Sequence, residues 1–356
     1  MNRLPSLQAL LEEESLDALL LTSPVARYYA TDIFTTAGMV LITRQGGTFY
    51  TDFRYIEAAR AHPSGYAAEM INHARPYREA VGEALARTRV KTLGFEQDTM
   101  TLTEYEALSR ALPVDFVPAH KALHRRRRAK DAEELTRMEE AQRIAERGFL
   151  ETLPLIRAGM TERALRAELI ARLYRAGADQ LSFDPIVVAG PGAARPHGEA
   201  GDRPIARGDF LIMDFGVVRR GYCSDTTRTV AVGTATDEMR RVYDIVLRAQ
   251  RRGIEAARAG VTGREIDAAA RDLIAEEGYG EHFGHGFGHC LGLEVHEPGG
   301  ASPSEESPLP AGAVLSAEPG IYLPGRFGVR IEDVIVLTGT GARNLTALPK
   351  DLLVVG

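Results

Sequence analysis

Cysteine is scarce in this chain. Cys223 and Cys290 are the only two in 356 residues, too few for a disulfide framework. Long apolar runs are missing too. No stretch reaches the roughly eighteen residues that a membrane-spanning helix needs. Positive charge is not in excess: 43 Lys and Arg stand against 49 Asp and Glu, a formal net charge of -6. That balance gives no support to nucleic-acid binding. The opening residues MNRLPSLQALLEEESLDALLL carry acids and no cationic stretch, so they do not read as a secretory signal. A cytoplasmic protein with neither membrane nor nucleic acid as partner is expected. One basic run, Arg125 to Arg128, stands out. It reads as a solvated linker, because DAEEL follows at once and opens a helix.

What is present is the material of a globular protein. Hydrophobic residues make up 44% and charged residues 26%, and the length suits two domains. We place the boundary so that residues 1–122 form one domain and 123–356 the other. The first alternates elements: LQALLEEE as helix, LDALLLTS as strand, MVLITRQGGTFYTD as a hairpin turning at Gly46-Gly47, YREAVGEALARTR as helix, VKTLGFEQD as strand. This is an α/β pattern with short connections. Asp52 and Arg54 in TDFRY read as an ion pair. A long helix is expected from Ala132 towards Ala158, bent or ended by Pro154.

The second domain repeats itself. RAGMTERALRAELI starts at Arg157, and RAGVTGREIDAAAR starts 101 residues later, at Arg258. Each is a Gly, then a Thr that caps a helix. The echo continues in RGDFLIMDFG and AGAVLSAEPG, where Gly208, Asp214 and Gly216 match Gly312, Glu318 and Gly320 at an offset of 104. Two related halves are expected.

Each half offers facing acids. A hairpin centred between Arg219 and Arg220 sets Asp214 opposite Asp225. A hairpin centred on Gly325 sets Glu318 opposite Glu332. Like charges facing across antiparallel strands are destabilising. Four carboxylates on a buried sheet need shared protons, arginine partners or metal ions. Arg330 could neutralise one charge. Metal ions neutralise all four, and the repetition of the pattern favours them. Oxygen ligands with one imidazole suit divalent manganese, cobalt, iron or zinc. The imidazole would come from GHGFGHCLGLEVHE, Gly284 to Glu297, which holds His285, His289 and His296. Its glycines argue against a helix, so it reads as extended chain beside the second hairpin. Thr227 reads as support for the ligands, Cys290 as a small buried residue. VVAGPGAARPHG lacks the G-x-G-x-x-G spacing of a nucleotide loop.

MDFGVVRRGYCSDTTRT, HGFGHCLGLEVHE, SAEPGIY and VRIEDV together resemble the metallopeptidase family with the pita-bread fold, which includes methionine aminopeptidases, aminopeptidase P and prolidase. The first 120 or so residues resemble the smaller N-terminal domain of its Xaa-Pro peptidase and creatinase branch. The resemblance implies an α+β fold: a pita-bread catalytic domain with an internal pseudo-twofold repeat, preceded by a creatinase-like α/β domain. It also implies two divalent metal ions per chain, manganese foremost, held by Asp214, Asp225, His289, Glu318 and Glu332. Glu318 would move protons, His296 would hold the oxyanion, and His197 and His285 would meet the substrate. The implied reaction is attack of a metal-bridging hydroxide on the bond before a proline at position two of a small peptide. Xaa-Pro dipeptidase is the first reading and aminopeptidase P, acting on longer peptides, the second. Methionine aminopeptidase and a non-catalytic peptide-binding module follow. Homodimers are common in the family. Several prolidases carry an arginine shortly after the position of His296-Glu297 that clamps the dipeptide carboxylate. Here HEPGGASPSEES has none, which leaves Arg44 or Arg54 to do that work; Arg330 would anchor Glu332, touch the substrate or serve as a plain charge partner.

Overall fold

A computed structural model describes residues 2–62 and 64–356. The chain divides into two compact units, Met1–Arg126 and Arg127–Gly356. The first unit runs α1 (Leu4–Glu13), β1 (Ala18–Leu21), α2 (Pro24–Thr31), β2 (Met39–Thr43), β3 (Gly46–Thr51), α3 (Ile56–Ala61), β4 (Ala67–Met70), α4 (Tyr77–Thr88), β5 (Thr92–Phe95), α5 (Leu102–Ala111) and β6 (Asp115–Pro118). Its sheet has the order β4-β3-β2-β1-β5-β6. Leu19 to Leu21 are fully buried, as expected of a central strand covered on both faces. The β2–β3 hairpin does not turn at Gly46-Gly47. Thr43 pairs with Gly46, so the two-residue turn is Arg44-Gln45 and both glycines belong to β3.

Helix α6 (His120–Arg128) contains the basic run, which is therefore not a solvated linker. Arg127 is buried. The second unit then runs α7 (Ala132–Thr152), α8 (Glu162–Arg175), β7 (Gln180–Leu181), β8 (Ile186–Ala189), β9 (Phe210–Phe215), β10 (Val217–Arg219), β11 (Tyr222–Cys223), β12 (Thr226–Val232), α9 (Asp237–Ala256), α10 (Gly263–Glu276), β13 (Gly288–Cys290), β14 (Glu297–Ala301), β15 (Val314–Ala317), β16 (Gly320–Leu323), β17 (Phe327–Arg330), β18 (Asp333–Leu337), β19 (Ala342–Asn344) and β20 (Val354–Val355). Asp131 and Glu134 form a capping box at the start of α7. Its α-helical part stops at Thr152, short of the expected Ala158, and a single 3-10 turn containing Pro154 follows.

The repeat is visible in three dimensions. Thr161 and Thr262 cap α8 and α10, each accepting a backbone N–H with its hydroxyl. Thr161 bridges to Pro204 and Thr262 to Pro308. Ala189 pairs with Leu211 in one half, as Cys290 pairs with Leu315 in the other. The two larger sheets of this unit are β20-β12-β9-β8 and β14-β13-β15-β18-β19, beside the smaller β11-β10-β7 and β16-β17. Helices α7 and α8 bury Phe149, Leu169 and Leu173 with Val187, Leu211 and Met213 of the first. Helices α9 and α10 bury Val246, Ile266 and Ile274 with Leu315, Ile335 and Val329 of the second half. Each helix pair covers one face of its half, and the acids lie where the two sheets meet.

Candidate metal centre

In the second half, Ala317 pairs with Asp333 on one side and Gly320 with Arg330 on the other, in one continuous register. Glu318 therefore lies across from Glu332 in the gap between these ladders. Their backbone amides leave the hairpin. Glu318 N–H donates to Phe287 O (2.8 Å) and Glu332 N–H to Thr227 O (3.1 Å). One acid is tied to the histidine segment and the other to the first half.

The first half departs from expectation. Arg219 pairs with Tyr222, and Asp214 with Thr227, not with Asp225. The turn is the two-residue Arg220-Gly221, with φ of +48° and +80°, the twist that suits a tight hairpin. Arg220 adopts this left-handed backbone while its N–H donates to Asp179 Oδ2 at 2.7 Å. Asp225 falls two positions beyond the partner of Asp214, past the end of the paired stretch.

The acids still gather around His289. Its Nδ1–H donates to Cys290 O (3.2 Å). That leaves Nε2 facing Glu318 Oε1 at 3.3 Å and Asp225 Oδ2 at 3.5 Å. Ligand atoms of Asp225, His289 and Glu332 all lie within 4.8 Å of one another. The first half has Val188 at the place His289 holds in the second, by the matched strand pairings. The cluster therefore has four carboxylates and one imidazole.

Charge is under-compensated here. Arg330 donates from Nη2 to Asp214 Oδ2 (2.5 Å), from Nε to Thr227 Oγ1 (3.0 Å) and from Nη1 to Tyr322 OH (3.0 Å). Thr227 in turn donates to Glu332 Oε2 (2.7 Å). Arginine pairing thus reaches Asp214 and, at 4.0 Å, Glu318. Burial raises the Asp214 carboxyl even against Arg330. Burial lifts Asp225 to about 7, with His289 opposing. Burial and the three neighbouring acids push Glu332 far up. Burial alone would keep His289 neutral, but Asp225 and Glu318 raise it to about 9. Glu318 runs the other way: burial opposes its charge, and His289 and Arg330 overcome that and lower it. Two buried oxygens, Asp214 Oδ1 and Glu332 Oε1, have no hydrogen-bond partner among the described residues. A buried carboxylate oxygen without a partner is costly, and a cation is what such oxygens lack. Carboxylates plus one imidazole form a donor set for a divalent first-row ion, so the residues present fit the divalent metal that the resemblance implies.

The histidine segment is extended, as its glycines suggest. A Cβ at Gly288 would meet Ser316 O at 1.9 Å, so only glycine lets the strands approach there. Buried Asp267 on α10 accepts from Phe287 N–H (2.8 Å), and its partner Arg271 donates to Phe283 O and His285 O. Ser316 Oγ accepts from His289 N–H (3.0 Å) and donates to Glu318 Oε1 (2.8 Å). Behind the acids, Arg228 donates to Asp333 Oδ1 and to the carbonyls of Thr227, Leu348 and Pro349, while Lys350 donates to Asp333 Oδ2 (2.6 Å). Sequence reasoning missed Asp267, Arg271, Ser316, Tyr322, Arg228 and Asp333. Most lie far along the chain from what they hold, and no local pattern marks them.

A cavity of about 650 Å³ opens onto the cluster, lined also by Ile186, His197, Val295, His296 and Glu305. The His296 ring centroid is 4.3 Å from that of His289. Burial and nearby His289 lower its basicity. His197 is exposed on the rim. His285 lines the same cavity, but both its nitrogens are engaged: Nδ1–H donates to Gly286 O and Nε2 accepts from Tyr322 OH, each at 2.9 Å. It therefore ends an internal chain, Asp214–Arg330–Tyr322–His285, in place of the free substrate contact expected. Arg330 is the only arginine or lysine among the described lining residues, and it is committed to that chain. Arg44 and Arg54 belong to the first unit. Arg44 sits in the β2–β3 turn and Arg54 is held by Asp52 at 2.6 Å. Cys290 is a small buried residue, its thiol pushed up to about 11 by burial.

The profile of metallopeptidase family M24 matches residues 136–339, and that of the creatinase/prolidase N-terminal domain matches residues 3–129. A Xaa-Pro dipeptidase of Pyrococcus horikoshii is 34% identical over 344 residues, covering 96% of each chain. The solved Xaa-Pro dipeptidase from Bacillus anthracis is 41% identical, with a TM-score of 0.94 and 99% of each chain covered. The solved X-Pro aminopeptidase from Thermotoga maritima is 37% identical, with a TM-score of 0.92 and 100% of each chain covered.

Proposed function

The chain belongs to metallopeptidase family M24, and from that membership we propose that it is a Xaa-Pro dipeptidase. Asp214, Asp225, His289, Glu318 and Glu332 would hold two divalent cations, manganese foremost. The observation that carries this reading is the grouping of Asp225, His289 and Glu332 ligand atoms within 4.8 Å of one another, with two buried acid oxygens, Asp214 Oδ1 and Glu332 Oε1, left without partners among the described residues. Divalent ions held there would lower the pKa of a water and polarise the carbonyl before proline. The chain's own residues do the rest. Glu318, steadied by Ser316, takes the proton of the attacking water and passes it to the leaving proline nitrogen. His296 donates a hydrogen bond to the developing oxyanion. His197 on the rim orients the substrate.

Purified protein stripped with a chelator and reloaded with Mn²⁺ is offered an Xaa-Pro dipeptide and an Xaa-Pro-Yaa tripeptide in parallel. Metal-dependent cleavage of the dipeptide alone is the expected result. Cleavage mainly of the tripeptide would move the assignment to aminopeptidase P, and cleavage of neither would end it. Asp225→Asn is expected to lose turnover together with about half or more of the bound metal.

A further inference from the structure

His296 sits in a stretch without regular structure, Leu291 to His296, that enters strand β14 at Glu297. Nothing in its own sequence fixes it: Gly292 loosens it, and no helix or ladder spans it. Yet an imidazole that meets a developing charge must be placed to within about half an ångström. The neighbouring residue supplies the fixing. Glu297 is buried, with its side chain 4% exposed. Its Oε1 accepts from Leu293 N–H (3.1 Å) and from Arg127 Nη2 (2.7 Å), and its Oε2 accepts from Lys130 Nζ (2.8 Å). The first of these bonds closes the loop on itself. The other two tie it to the start of the second unit.

Both cations are themselves fixed. The Lys130 side chain is 1% exposed, its N–H donates to Gly312 O (2.9 Å), and Ala129 bridges Ala313. Arg127 divides its Nη2 between Glu297 and Glu294, the latter at 2.7 Å. The loop is anchored at its other end as well. Cys223 N–H donates to Gly292 O (2.7 Å), and Gly292 N–H to Glu294 O (2.9 Å). Burial works against the Glu297 charge, but Lys130 and Arg127 outweigh it and hold the carboxyl below the ordinary range. Two buried cations against one buried carboxylate is a costly arrangement for stability alone, since apolar residues of the same volume commonly serve as well. Its geometric result is a rigid mount for the residue next in sequence.

We propose that Glu297, clamped by Lys130 and Arg127, is a positioning residue that sets the His296 imidazole over the reacting carbonyl. The inference rests on the Xaa-Pro peptidase reading for the role of His296. The placement of the ring can be tested apart from it.

Glu297→Gln keeps the shape and removes the charge. Lys130→Met removes the main partner, and Lys130→Arg restores a cation. With Mn²⁺ and an Xaa-Pro dipeptide, the first two are expected to lower kcat by about 10–100-fold, with KM and metal content within about twofold of the parent. Lys130→Arg recovers most of the loss. In a His296→Ala background, Glu297→Gln is expected to cost less than about twofold more, because its effect passes through the missing ring. Full additivity of the two substitutions, or an unchanged kcat in Glu297→Gln, would overturn the proposal. A second readout needs no turnover. In ¹⁵N-histidine-labelled protein without metal, Glu297→Gln shifts the imidazole signals of His296 and leaves those of His197 in place. Unmoved His296 signals overturn the proposal even if the dipeptide is not the substrate. Loss of dipeptide cleavage by the parent enzyme, with the His296 signals shifted, would instead fault the substrate assignment.

Discussion

Thr227 stands directly opposite Asp214 in the β9–β12 ladder, and its hydroxyl links Arg330 to Glu332. One side chain thus couples an acid of the first half to an acid of the second. Thr227→Val keeps the volume and removes the coupling, leaving Glu332 Oε2 and Arg330 Nε without partners. Metal affinity is expected to fall by about 10–100-fold, read by calorimetric titration of the stripped protein with Mn²⁺.

Tyr322 hydroxyl accepts from Arg330 and donates to His285. Tyr322→Phe breaks that chain in the middle. Turnover is expected to drop about tenfold, the size of one buried hydrogen bond, with thermal stability lowered only slightly. Steady-state kinetics beside a melting curve checks both.

Two glycines of the histidine segment should behave oppositely. A methyl at Gly288 collides with Ser316 O, whereas one at Gly284 meets nothing within 4 Å and faces no left-handed backbone. Gly288→Ala is expected to cost about 1–3 kcal/mol and to displace His289 from the acids. Gly284→Ala is expected to be neutral or to stabilise by about 0.4–1 kcal/mol. Urea unfolding of the two variants separates them.

Asp333 is buried between Arg228 and Lys350. Burial disfavours its charge, but these cations prevail and hold its carboxyl below the ordinary Asp value. A depressed folded value means stability that is fully present above the unfolded value and lost as pH falls through the folded one. Asp333→Asn is expected to cost about 3–5 kcal/mol at neutral pH, because Arg228 is left buried without its partner. The gap between parent and variant should close as the pH is taken stepwise into the acid range, followed by denaturant unfolding at each pH.

The parts legible in the sequence are those set by local rules. Alternation and capping gave α1, β1, α4, β5 and α7, and two Thr caps marked the repeat. The second hairpin was readable because Gly325, with φ of +74°, centres a symmetrical turn. The first was misread by one position at its centre, and so by two in its pairing. Arg220 takes a left-handed backbone there, with its N–H held by Asp179, forty-one residues away. The β2–β3 turn failed similarly, because Gly46-Gly47 is a strong local signal but Arg44-Gln45 is the turn. Acids and histidines announce themselves by residue type. The buried pairs that steady them, such as Asp267 with Arg271 or Arg228 with Asp333, do not, because an Asp or Arg becomes informative only once its burial is known. The same applies to Arg127, which sequence alone placed in solvent.

The grip of Arg228 on Leu348 and Pro349, and of Lys350 on Asp333, makes residues 348–350 a back wall for the strands that carry Thr227 and Glu332. A polypeptide halted before Leu348 would carry every acid of the cluster without the frame that aims them.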